Sequence, residues 1–179
     1  MESFKSHLEI RTAIFDDIPI IQDIAQQTWP ITYGGIISRV QIVYMLDLMY
    51  STETLEKQMF QEQTFLIANV GNTPVGFASF RVIEDSVYKL DKLYILPNAQ
   101  NIGVGKKLLL EVIKRVINVG GKELQLQVNR KNEAVGFYKK MGFVVIRQEN
   151  FNIGDGYYMN DFIMSLILLR YEYTAFKIC

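Results

Sequence analysis

The stretch Lys92-Leu-Tyr-Ile-Leu-Pro-Asn-Ala-Gln-Asn-Ile-Gly-Val-Gly-Lys-Lys-Leu-Leu-Leu110 decides how this chain is read. An apolar strand runs into Pro97 and then a short polar turn. Gly103 and Gly105 follow, and a strongly helical segment begins at once. Such a turn delivers a row of free backbone N–H groups at a helix N-terminus. Together with the positive end of the helix dipole they make an anion site, best suited to phosphate. The small residues let a ligand approach the backbone closely.

Working outward, 179 residues predict one domain with a substantial core, about 8–168, and a tail at 169–179. Lys+Arg and Asp+Glu both total 19, so the formal net charge is zero, which argues against a nucleic-acid partner held by bulk charge. The one Cys, Cys179, allows no disulfide within the chain and no Cys-based metal site, and it fits a reducing cytoplasm. No signal peptide is read at the N-terminus. The longest apolar run, Phe162 to Leu169, is broken by Ser165 and falls short of the ~20 residues a membrane-spanning helix needs.

Periodicity predicts the elements. Leu8 to Ala13 alternates as a strand. Asp16 or Asp17 is expected to cap a helix that runs to about Thr28 and is ended by Trp29-Pro30. Ser38 caps a second helix, Arg39 to Tyr50, and Thr52 a third, Thr54 to Glu62. Strands follow at Thr64 to Val70, Val75 to Ile83 and Tyr88 to Ile95. A helix from Gly103 to about Val119 carries one broad apolar face and stops at Gly120-Gly121. Leu124 to Val128 is a strand of strict period two. Asn132 caps a helix to Met141. Phe143 to Gln148 is a strand, Asn152 to Asn160 a Gly- and Tyr-rich loop, and Asp161 to Leu168 the last strand. The order β-α-α-α-β-β-β-α-β-α-β-β predicts an α/β chain with a mixed sheet and helices on both faces.

Two phosphate motifs fail. A Walker loop needs Gly where Gln100 stands and Ser or Thr where Lys107 stands. A dinucleotide fingerprint needs a third Gly where Leu108 stands. The pattern Gln100-x-x-Gly103-x-Gly105 after a strand instead resembles the acyl-CoA pyrophosphate loop of the GNAT superfamily of N-acetyltransferases. About 25 residues downstream, Asn129-Arg-Lys-Asn132-Glu-Ala134-Val-Gly-Phe137-Tyr138-Lys-Lys-Met-Gly142-Phe143 is similar to that family's next strand–helix–strand segment. The order of elements over about 8–168 agrees.

The resemblance implies the GNAT acyl-CoA N-acyltransferase fold and a cytoplasmic acyltransferase that moves an acetyl group from acetyl-CoA to an amine by direct attack. Backbone at Gln100, Asn101, Ile102, Gly103, Val104, Gly105 and Lys106 would hold the pyrophosphate. Leu93, Tyr94 and Ile95 would pair with the pantetheine arm where that strand diverges from Leu124–Val128. The N–H of Tyr94 or Ile95 would polarise the thioester carbonyl. Asn129 or Asn132 would contact the cofactor. Tyr138 matches the family's acid for the leaving thiolate, against a plain packing role beside Phe137. An alkylamine with pKa ~10.4 is almost wholly charged at pH 7. Asp91 and Glu84 are therefore read as general bases, or as solvated carboxylates.

Trp29, Tyr33 and Tyr157 are the expected acceptor contacts, with Tyr158 beside them, and Asp155 and Asp161 are acids that could pair with a substrate ammonium. The aromatics could equally be packing residues. Trp29-Pro-x-Thr-Tyr33, followed by Tyr44-Met-Leu-x-x-Met-Tyr50, resembles the PaiA-type branch, which implies a small amine such as a polyamine. Alternatives are a lysine or protein N-terminus as acceptor, or a non-catalytic acyl-CoA-binding module. No metal, membrane or nucleic acid is expected. The last strand and tail offer an edge for a homodimer.

Overall fold

The computed structural model describes residues 7–169. Cys179 and most of the tail proposed as a dimer edge lie outside them. Seven strands and five α-helices follow in the order β1 (Leu8–Thr12), α1 (Ile18–Tyr33), α2 (Arg39–Tyr50), α3 (Thr52–Phe60), β2 (Thr64–Val70), β3 (Thr73–Glu84), β4 (Val87–Ile95), α4 (Val104–Asn118), β5 (Glu123–Asn129), α5 (Ala134–Lys140), β6 (Val144–Gly154) and β7 (Tyr157–Ile167). Hydrogen bonding orders the mixed sheet β1-β2-β3-β4-β5-β7-β6. The β4–β5 pair is parallel. The pairs β1–β2, β2–β3, β5–β7 and β6–β7 are antiparallel.

The chain divides into two compact units, and β4 runs through both. The first holds residues up to Phe80 together with Lys92–Val112. Its core is built from Ile21, Ile24 and Trp29 of α1, Leu55 of α3, Phe65, Leu66 and Ile67 of β2, and Leu108 and Leu109 of α4. The second holds Arg81–Asp91 and the residues from Ile113 onward. There Val116, Leu124, Leu126, Phe143 and Met164 are buried. The parallel β4–β5 register runs from Val87↔Glu123 to Leu90↔Leu126 and stops before β4 itself ends.

Several elements end where the sequence did not place them. α1 passes through Pro30 to Tyr33. The carbonyl that loses its donor belongs to exposed Gln26, at the solvent-facing side of the helix, while buried Thr28, Trp29 and Tyr33 hold the last turns in the core. Asp17 stands at the N-cap of α1, but its side chain makes no capping bond to that helix. It accepts two 2.7 Å bonds from Arg11 and one of 2.9 Å from the Ile14 N–H, and the guanidinium lowers its carboxyl below the usual range. Ser38 caps α2 as expected, accepting from the Gln41 N–H at 3.1 Å. α3 starts two residues early because Ser51, not Thr52, accepts from the Thr54 N–H at 3.3 Å. The stretch 152–160, expected as a loop, is a hairpin. Gly154 (φ 93°), Asp155 (φ 49°) and Gly156 (φ 75°) turn the chain tightly between β6 and β7.

Candidate active site

The anchor turn belongs to the first unit. β4 leads through Leu96, whose N–H bonds the Val75 carbonyl at 2.8 Å, into a 3-10 turn at Pro97–Ala99. The Gln100 side chain folds back and donates to the Ile95 carbonyl at 3.0 Å, closing the turn. Asn101 (φ 63°) and Gly103 (φ 89°) then take left-handed conformations. Asn tolerates that region, and at Gly103 it is the backbone that requires glycine, since open space surrounds the position. α4 opens at Val104, and Lys107 N–H to Gly103 carbonyl at 3.0 Å is its first-turn bond. The N–H groups of Val104, Gly105 and Lys106 therefore have no acceptor within the helix. Asn101, Ile102 and Gly103 are exposed at this end. Free donors, exposure and the dipole of a 15-residue helix suit a diphosphate.

Gly76 on β3 sets how closely the end of β4 can lie. A Cβ there would sit 2.5 Å from Ile95 Cδ1 and 2.8 Å from the Tyr94 carbonyl. Gly76→Ala is expected to lower stability by about 1–3 kcal/mol, read as a lower urea midpoint at constant slope. An unchanged midpoint would mean that β4 yields without cost.

Behind β4 the same unit builds an aromatic nest. The Trp29 ring lies 4.5 Å from Tyr33, 5.9 Å from Tyr50 and 6.1 Å from Tyr94. Phe77 joins at 5.7 Å from Tyr94. The Trp29 N–H donates to the Tyr50 hydroxyl at 3.2 Å, and the Tyr33 and Tyr94 hydroxyls are 3.3 Å apart. Burial first, then the neighbouring hydroxyls, holds Tyr94 well above its ordinary value, so it stays neutral. Trp29 is 1% exposed, which makes it a backing residue for Tyr33 and Tyr94. Lys92, 3% exposed, points its ammonium at the Tyr50 and Phe65 rings (5.4 and 5.7 Å) and donates to Gln58 at 3.1 Å. Sequence reasoning assigned no role to Lys92 or Tyr50. The available signal was alternation, which puts Lys92 on the same face as buried Leu90.

The second unit holds the other expected residues. Tyr138 is 8% exposed on α5, its ring 5.3 Å from Phe137 and 5.7 Å from Phe143. Asn129 ends β5 and its Oδ1 accepts from the Lys131 N–H at 3.0 Å. Asn132 Oδ1 accepts from the Ala134 N–H at 2.9 Å, so both asparagines shape the entry to α5. Asp91 is ion-paired with Arg81 at 3.0 Å and Lys89 at 3.5 Å. Glu84 is exposed, in the hairpin at the end of β4 away from the anchor turn. Tyr157 is half-buried at the start of β7. Among the described residues, no three His, Cys, Asp or Glu side chains converge as a metal site. No helix among them is long and apolar enough to cross a membrane.

Comparison with known proteins agrees with this geometry. Residues 38–158 match the family described as Acetyltransferase (GNAT) domain. A spermidine N(1)-acetyltransferase of Thermoplasma acidophilum is 33% identical over 144 residues, covering 77% of this chain and 89% of that protein. The crystal structure of the PaiA N-acetyltransferase from Thermoplasma acidophilum in complex with coenzyme A superposes with a TM-score of 0.78 at 31% identity, covering 90% of this chain and 99% of that one. The peptidyl-lysine N-acetyltransferase YjaB of Escherichia coli is 35% identical over 108 residues, 59% of this chain and 67% of that protein. The chain belongs to the GNAT acetyltransferase family, and is an acetyl-CoA-dependent N-acetyltransferase.

Proposed function

We propose that this chain acetylates a primary amine of a small polyamine. The family membership and the 33% identity to a spermidine N(1)-acetyltransferase support this choice of acceptor. The single observation behind the donor side is the Gly103 turn at the head of α4, whose unused N–H groups suit a pyrophosphate. When bound, acetyl-CoA supplies an activated thioester. The Leu93–Ile95 backbone, beyond the end of the β4–β5 ladder, offers strand-type hydrogen bonds to an extended pantetheine arm. Tyr138 Oη holds the proton that the departing sulfur takes up. In the first unit Tyr33, with Tyr94 and Trp29 behind it, offers aromatic surface to an ammonium-bearing alkyl chain; in the second unit Tyr157 is a further candidate. The single Cys among 179 residues suits a reducing cytoplasm.

A free-thiol release assay with acetyl-CoA tests the reading against spermidine, simple diamines and monoamines. Lysine peptides belong in the same panel, because the resemblance to a peptidyl-lysine acetyltransferase favours them as the second reading. Saturable turnover of spermidine is expected. Absence of turnover on every amine, with coenzyme A still bound, would overturn the catalytic claim.

A further inference from the structure

We propose that Asp161 is the anchor for the acceptor's cationic nitrogen. This deepens the amine-acetylation reading and rests on it. Asp161 is 7% exposed, and its Oδ1 is buried with no hydrogen-bond partner among the described residues. Buried ionised carboxylates that lack a donor are costly, and each one calls for an explanation. The cations of the same unit that act on Asp161, Lys89 and Arg130, are held elsewhere. Lys89 donates to Gln127 and pairs with Asp91 at 3.5 Å. Arg130 donates to Asn150, and to Gln148 at 3.3 Å. Across the strands Asp161 stands opposite Asn129 of β5 and Glu149 of β6. The Asn129 oxygen is engaged with the Lys131 N–H.

The described residues supply no donor for this oxygen, and a charged N–H donor of the kind an alkylammonium carries would satisfy it. Strand alternation puts Met159 and Tyr157 on the same face as Asp161, about 7 and about 14 Å along β7. A methylene chain anchored at Asp161 therefore meets a thioether and then an aromatic face, which suits a diamine or polyamine better than a short monoamine. Asp161 also sits across from the residue that opens the turn into α5, the helix of Tyr138.

The experiment compares the parent protein with Asp161→Asn. Calorimetry measures the binding of spermidine and, separately, of coenzyme A. Kinetics measure KM and kcat for spermidine and for butylamine. The variant is expected to bind spermidine at least tenfold more weakly and to raise its KM as much. Coenzyme A affinity should stay within twofold. Butylamine, which reaches fewer of these groups, should lose less than spermidine.

Desolvation holds the Asp161 carboxyl up at about 6, against the opposing pull of Lys89 and Arg130. Its folded value lies above the unfolded one, so its ionisation costs the fold stability above about pH 6. The amide should therefore melt no lower than the parent at pH 7.5. In the parent, spermidine affinity should fall as pH drops through about 6. Among the described residues, the charged groups nearby are Lys89 and Asp91 from β4, Arg130 from the turn, and Arg147 and Glu149 from β6. Glu149→Gln should leave that midpoint in place.

Spermidine affinity and KM within twofold of the parent in Asp161→Asn would overturn the assignment while amine acetylation stands. Asp161-dependent spermidine binding without any acetyl transfer would uphold the site and sink the catalytic reading. A parent protein that binds no amine at any pH would overturn the site, whether or not the variant folds.

Discussion

Tyr138→Phe is expected to lower kcat by about 100-fold or more while leaving the coenzyme A dissociation constant within a factor of a few. The substitution removes one hydroxyl and keeps the ring. That ring is what packs: it lies between Phe137 and Phe143 at 5.3 and 5.7 Å, and phenylalanine fits the same space. The stability change should therefore stay near the ~1 kcal/mol of one lost hydrogen bond. A positioned acid contributes 10²–10⁴-fold to a proton-transfer step, so the kinetic loss should far exceed the thermodynamic one. Steady-state rates at saturating acetyl-CoA, with coenzyme binding measured apart, separate the two. A kcat within threefold of the parent would remove Tyr138 from the chemistry and leave it a packing residue on α5.

The anchor turn was legible because its requirements are local. Gly103 must be glycine for its own backbone angle, and the donors of α4 follow from a helix starting there. The cap at Ser38 and the period-two strand ending at Asn129 are local in the same sense. The misreadings share a different cause. Pro30 looked like a stop, yet exposure of Gln26 makes the lost bond cheap and the buried face of α1 carries the helix on. The 152–160 stretch reads as a loop because it is rich in Gly and Tyr, yet pairing of Asn152 with Tyr158 and of Gly154 with Tyr157 makes it a hairpin.

Site residues depend still more on partners. Asp91 reads as a free carboxylate in sequence, and only the fold brings Arg81 to it across the β3–β4 hairpin. Alternation puts Lys92 on the buried face of β4, but only tertiary packing supplies the Tyr50 and Phe65 rings beside its ammonium. Conversely, the value of Asp161 lies in what fails to reach it, which no pattern of residue types encodes.

Trp29→Ala is expected to cost about 3–5 kcal/mol of folding stability, the range for deleting a fully buried large aromatic. Trp29 is 1% exposed and touches three tyrosine rings, so the void it leaves has rigid walls that cannot all close in. The Tyr50 hydroxyl also loses the indole N–H that bonds it at 3.2 Å. Circular dichroism during urea unfolding measures the loss, since the variant has no tryptophan left to report by fluorescence. The effect should carry into function through geometry. Tyr33 and Tyr94 keep their hydroxyls 3.3 Å apart while Trp29 backs both rings. Without it the pair loosens, and the KM for the amine should rise more than the affinity for coenzyme A falls. A stability loss under about 1 kcal/mol would mean that the nest collapses onto the gap and that Trp29 does not set the position of Tyr33.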